Sequence, residues 1–278
     1  MPRYRLLALD VDGTLVNSRH ELTGRTRDAL LHARAQGIEI VLATGRRYSR
    51  ALPLVEPLEL NVPLITASGA LVKRAADHQT LFRARFMPGA LERCLEAVAG
   101  DGYEAVLYAD TYDEGFDFYH RGSEFPRGEL VEFFRKNEGF GRLWPELMTR
   151  PPDEIFGGFV MGTHEEMLRL AERLHQRVPD SFYLHVLRSP RYRGFMCEIA
   201  PAGVSKWTAV RRMADQWGIA TEEICAVGDD VNDIPMIEAA GLGIAMGNAR
   251  PEVKAVAQRI APDHDEDGLV QVVDWLLR

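Results

Sequence analysis

The sequence predicts an α/β protein, a parallel sheet with helices packed on it, interrupted by a second α/β unit. Three observations carry this prediction. Short apolar and β-branched runs alternate with helix-length segments near the start of the chain, and the alternation returns in the last third. Between the two lies a stretch of different character, aromatic-rich and punctuated by Pro and Gly.

Taken in order, YRLLAL (4–9) reads as a buried strand. TGRTRDALLHARAQG (23–37) has a capping Thr, apolar positions at helical spacing and a terminal Gly, and so predicts a helix. IEIVLATG (38–45) and VPLITASGA (62–70) supply two more strands, and strand–helix–strand at this spacing favours parallel pairing. Late in the chain, KWTAVRRMADQWG (206–218) reads as helix, ICAVGDD (224–230) as strand and DIPMIEAAG (233–241) as helix. LGIAMG (242–247) is again a strand, PEVKAVA opens a helix on its Pro, and EDGLVQVVDWLLR predicts a terminal helix. The middle offers strands in YEAVLYA and FDFYH, helices in ALERCLEAVAG and HEEMLRLAERLHQRV, and a Pro/Gly cluster in WPELMTRPPDEIFGG. The alternating aromatics Tyr103, Tyr108, Phe116, Phe118 and Tyr119 favour core packing over a sugar-stacking platform.

At 278 residues the chain suits one large domain or two ordinary ones, and 46% hydrophobic residues suffice for a substantial core. With 33 basic against 41 acidic residues the net charge is −8, which argues against a nucleic-acid partner. Three widely spaced cysteines match neither a zinc site nor a disulfide framework, so reduced thiols in a cytoplasm are expected. The chain shows no membrane-length apolar run and no apolar signal segment before its first Asp, so no membrane partner is expected.

The chemistry is concentrated at strand ends, where ligands collect in parallel α/β sheets. LLALDVDGTLVNS (6–18) delivers Asp10 and Asp12 off the first strand; Thr44 and Gly45 follow the second; Asp229 and Asp233 follow a late one; Lys206 opens a helix. Singly, each has an ordinary reading: Asp-x-Asp-Gly is turn chemistry, Thr44 a cap, Lys206 a surface lysine. Together, several carboxylates, a hydroxyl and a lysine suit a hard cation and a phosphate.

DVDGTL (10–15), ATGR (43–46), GVSK (203–206) and GDDVND (228–233) resemble the four motifs of the haloacid dehalogenase superfamily. AGLGIAMGNARPEVKAVA (240–257) and DEDGL (265–269) resemble the C-terminal signature of its Cof-type sugar-phosphatase branch. The resemblance implies a Rossmann-like core, with helices on both faces of its sheet, over residues 1–82 and 194–278. It also implies an inserted α/β cap over 83–193 that sets specificity.

It further implies a Mg²⁺-dependent phosphatase acting on a small phosphorylated metabolite such as a sugar phosphate. Asp10 would be the nucleophile that becomes an aspartyl-phosphate, and Asp12 the general acid and base. Val11, Thr44, Gly45, Lys206 and Asn232 would bind phosphate. Asp10, the backbone carbonyl of Asp12, and Asp229 would ligate Mg²⁺, with Asp233 orienting a metal-bound water or Lys206. Thr14 would help hold the acids, and Asp230 would matter less. Two other readings stay open: a phosphomutase of the phosphomannomutase type, and a non-catalytic phosphometabolite-binding regulator.

Two positions depart from the family pattern: Ser68 stands where Asn is usual, and Trp207 where a small residue is common. Arg188, Arg191 and Arg193, near the return from the insertion, read as surface arginines, with a contact to a second anionic group as the alternative. No histidine is placed as catalytic; His120, His164 and His185 read as surface or packing residues of the insertion.

Overall fold

The opening apolar run forms β1 (Leu6–Asp10), a strand buried along its whole length whose last residue is the first acid of the chain. A computed structural model describes residues 3–59, 61–122, 128–188 and 192–278; Arg191 lies outside the described residues. Thr23 accepts the Thr26 N–H and starts α1 (Gly24–Ala35), followed by β2 (Glu39–Ala43) and α2 (Tyr48–Val55). Then come β3 (Pro63–Thr66), β4 (Leu71–Arg74) and β5 (Thr80–Arg83). The middle contributes α3 (Ala90–Gly100), β6 (Ala105–Ala109), β7 (Phe118–His120), α4 (Gly128–Lys136) and β8 (Gly141–Leu143). It ends with β9 (Ile155–Gly162), α5 (His164–Arg177), β10 (Phe182–Arg188) and β11 (Phe195–Pro201). The chain closes with α6 (Lys206–Gln216), β12 (Ile224–Gly228), α7 (Ile234–Ala239), β13 (Leu242–Ala245), α8 (Pro251–Val256), β14 (Arg259–Ile260) and α9 (Gly268–Leu277).

Two compact units result: residues 1–82 with 205–278, and residues 83–204. In the first, eight strands run in the order β14-β13-β12-β1-β2-β3-β4-β5. The run from β14 to β3 is parallel, and β4 turns back antiparallel on β3. Leu6 and Ala8 join a core with Val210 and Met213 of α6 and Ile237 of α7. Leu7 and Leu9 point to the other face by the strand's two-residue period and are fully buried too, so both faces of the sheet are covered.

The inserted unit is a six-stranded sheet, β10-β11-β9-β6-β7-β8, antiparallel except where β7 pairs with β8. Leu107 and Ile199 pack with Leu95 and Val98 of α3 and with Leu170 and Leu174 of α5. Phe133 of α4 lies 4.9 Å from Phe159 and 5.2 Å from Phe118, ring centre to ring centre. All five aromatics of the alternating set are buried, as strand-core packing requires.

Two features differ from the sequence reading. The core resumes at Ser205 and not at 194, because β11 pairs along its length with β10 and β9 and so belongs to the inserted sheet. The Pro/Gly cluster conceals β9, an interior strand. Its glycines permit close approach, since a Cβ on Gly158 would sit 2.5 Å from the Val106 carbonyl.

Cys94, Cys197 and Cys225 are buried and form no disulfide, and burial pushes the Cys94 thiol up to about 12. No helix among the described residues is long and apolar enough to cross a membrane.

Candidate active site

Lysine at the first position of a helix ordinarily reaches solvent; Lys206 does not. Ser205 caps α6 by accepting the Thr208 N–H, and the next side chain turns inward, 2% exposed. Its Nζ lies 2.6 Å from Asp10 Oδ1 and 2.7 Å from Asp233 Oδ1. Asp233 is fully buried, and its second oxygen accepts the N–H groups of Asp229 and Asp230 at 3.0 and 3.1 Å. One carboxylate thus anchors both the ammonium and the loop that follows β12.

That loop presents Asp229 to the turn after β1. Thr14 Oγ1 donates to Asp229 Oδ1 at 3.0 Å. Gly13 has φ +78°, and a Cβ there would fall 2.4 Å from Asp229 Oδ2, so glycine is required by conformation and by space. Asn248 Nδ2 holds the same turn by donating to the Gly13 carbonyl at 2.8 Å. The Val11 carbonyl accepts the N–H groups of Leu15 and Val16, which closes the turn beyond Asp10.

Oxygens of Asp10, Asp229 and Asp233 all lie within 4.8 Å of one another. Three carboxylates against one ammonium leave two negative charges in excess. Burial drives the Asp10 carboxyl well above the usual range; Lys206 works against this, while Asp233 and Asp229 add to it. Asp229 is pushed up to about 7, by burial first and then by the charge of Asp233. For Lys206, burial alone would lower the pKa, but the charges of Asp10 and Asp233 outweigh it and hold the ammonium protonated. An all-oxygen donor set that repels itself fits a hard divalent cation such as Mg²⁺.

Asp12 faces a different partner. Its carboxylate is 40% exposed and engages Arg46 through both oxygens, with Nε 2.6 Å from Oδ2. Arg46 stands inside the ATGR run, yet sequence reasoning gave it no role; its signal was a guanidinium beside a strand-end hydroxyl. Thr44 is buried, with Oγ1 accepting the Arg46 N–H at 3.1 Å. At Gly45 a Cβ would lie 3.4 Å from Ser68 Oγ and 3.7 Å from Asn232 Nδ2, so both side chains converge there.

The remaining predicted residues lie elsewhere. Asp230 caps the Val231 N–H and pairs with Arg250 at 2.7 Å, outside the acidic cluster. Trp207 is half-buried and packs against the core of its own unit. Arg188 and Arg193 are exposed. His120 packs beside the Phe118 and Phe134 rings, and His164 beside Phe195.

A family model described as haloacid dehalogenase-like hydrolase matches residues 7–273. Phosphatase YwpJ of Bacillus subtilis (strain 168) is 27% identical over 297 residues, covering 98% of this chain and 100% of its own. The 5-amino-6-(5-phospho-D-ribitylamino)uracil phosphatase YwtE of the same organism is 26% identical over 289 residues, covering 98% of each. The crystal structure of a haloacid dehalogenase-like hydrolase from Bacteroides thetaiotaomicron superposes with a TM-score of 0.79 at 26% identity, over 98% of this chain and 99% of that one.

Proposed function

Because the chain belongs to the haloacid dehalogenase-like hydrolases and is a phosphatase, we propose that it cleaves a small phosphorylated metabolite of the sugar-phosphate class through an aspartyl-phosphate on Asp10. One observation supports this above the others: a buried carboxylate at the end of β1, held by Lys206 in an acidic cluster. A lone carboxylate repels a phosphate dianion, and burial makes the repulsion worse. Mg²⁺, held by Asp10, the Asp12 carbonyl and Asp229, would neutralise that charge.

Lys206 fixes the direction of the Asp10 carboxylate and offsets charge on the transferred group. Thr44, Gly45 and Asn232 bind phosphate oxygens, with Val11 beside the nucleophile. Asp10 attacks phosphorus and the ester P–O bond breaks, while Asp12 gives its proton to the departing alkoxide. Asp12 then takes a proton from the water that attacks phosphorus, which releases phosphate and frees Asp10. Arg46 sets where the Asp12 oxygens lie. The inserted unit acts as a cap that selects the leaving group and excludes bulk water. The B. subtilis relative's name, a phosphatase of a phosphorylated ribityl compound, supports a small polyhydroxylated substrate.

Phosphate release from a panel of sugar phosphates and other phosphometabolites, with Mg²⁺ and then with a chelator, tests the reading. Release that depends on Mg²⁺ is the expected outcome. A folded protein silent across the panel would count against it, and an isomeric sugar phosphate as product would indicate a mutase.

A further inference from the structure

We propose that Ser68 is a substrate-binding residue, its hydroxyl donating to a phosphate oxygen seated at Gly45 beside Asn232. The inference rests on the phosphatase reading and adds a residue to it.

The turn after β3 is unusual in its backbone. Ala67, Ser68 and Gly69 have φ of 47°, 55° and 110°, three successive residues in the left-handed region, two of them with side chains. Such a conformation persists only where the surroundings enforce it. Two backbone bonds clamp the turn to the segment after β2: Ala67 N–H to the Arg46 carbonyl at 2.8 Å, and Ser68 N–H to the Thr44 carbonyl at 3.1 Å. On its other side, a Cβ on Gly69 would fall 2.2 Å from the Ser205 carbonyl, so the turn also abuts the start of α6, which carries Lys206. The strained turn is therefore gripped between the segment holding Thr44 and Gly45 and the helix holding the lysine.

What that grip presents is a buried hydroxyl. Ser68 is 7% exposed, and its Oγ has no hydrogen-bond partner among the described residues. Asn232 Oδ1 is buried and unpartnered in the same way. Both side chains converge on Gly45, where the missing side chain leaves room. Buried polar atoms are normally satisfied, and two orphans at one place point to a polar ligand. A tetrahedral phosphate fits them. Its anionic oxygen accepts from Ser68 Oγ and Asn232 Nδ2, and a phosphate hydroxyl or an ordered water donates to Asn232 Oδ1.

The test compares wild type with Ser68→Ala and Ser68→Gly. Inorganic phosphate affinity is measured by titration calorimetry, KM and kcat on the best panel substrate, and Tm by calorimetry. Both variants should bind inorganic phosphate about tenfold more weakly and raise KM alike, the effect expected for a lost charge-assisted hydrogen bond. Ser68→Gly should melt no lower than wild type, because glycine adopts φ 55° freely. Wild-type phosphate affinity in both variants overturns the proposal. So does a loss confined to Ser68→Ala, which would trace the effect to the backbone. A wild-type protein that neither hydrolyses the panel nor binds inorganic phosphate overturns the phosphatase reading and this one together, whereas active variants matching an active wild type overturn this one alone.

Discussion

The two units solve the problem of a stable interior differently. In the eight-stranded unit the carboxyl end of the sheet encloses Asp10, Lys206 and Asp233, charges removed from water and dependent on one another. In the inserted unit the interior is mainly aliphatic and aromatic, with Phe133 against Phe118, Phe159 and Tyr192. Buried ion clusters contribute little net stability, because desolvation offsets attraction. Packed rings contribute through area and contact alone. The first unit therefore accepts a cluster of mutually dependent charges at the candidate site, whereas the second buries one acid, Asp117, among the described residues.

The strongest challenge to this contrast is Asp10→Asn, which keeps shape and removes the proposed nucleophile. Phosphate release should fall by more than about 10⁴-fold while circular dichroism and Tm stay near wild type. Retained turnover would defeat the covalent route.

Two truncations sharpen the comparison at similar cost. Lys206→Met leaves Asp10 and Asp233 facing each other and should destabilise by about 3–5 kcal/mol. Phe133→Ala empties a packed site in the inserted unit and should also lose about 3–5 kcal/mol. Denaturant unfolding measures both, and the outcomes should part on addition of Mg²⁺. Phe133→Ala should retain the wild-type Tm gain, and Lys206→Met should not.

The smallest effect is in pH. Asp229 titrates near 7 in the folded protein against an ordinary 3.8. Between those values the folded state holds a proton that the unfolded chain has released. Without metal, its contribution is complete below the ordinary value and is lost as pH rises through the folded one. A cation needs the same oxygens deprotonated. The Tm gain from Mg²⁺ should therefore be slight near pH 5 and grow by a few degrees toward pH 8. A gain independent of pH would show that these carboxyls do not hold the metal.

Much of the first unit was legible because its signals are local. Thr23 caps α1 and the apolar runs form β1, β2, β12 and β13 close to the predicted bounds, whereas the strand expected over 62–70 stops at Thr66 and gives way to the turn at 67–69. The quoted motifs lie at the strand ends where chemistry was expected. What escaped was non-local. β9 is interior only because β6 and β11 flank it, and nothing in IFGGFVMG names those partners. Arg46 meets Asp12 across 34 positions, a pairing fixed by the β1–β2 register and not by either motif alone. The inward turn of Lys206 likewise depends on Asp233, 27 positions away.

The place of β1 between β2 and β12 has a consequence for biosynthesis. Asp10 and Lys206 lie 196 positions apart. A ribosome adding about 5–20 residues per second needs about 10–40 s to travel from one to the other. From the completion of β2 at Ala43 until β12 begins at Ile224, β1 has one neighbour and one open edge, while the inserted sheet is complete by Pro201. The inserted unit can close on itself first. On the proposed mechanism, competence arrives only when the last third emerges, so a nascent chain carries Asp10 long before it carries the Lys206 and Asp233 that enclose it.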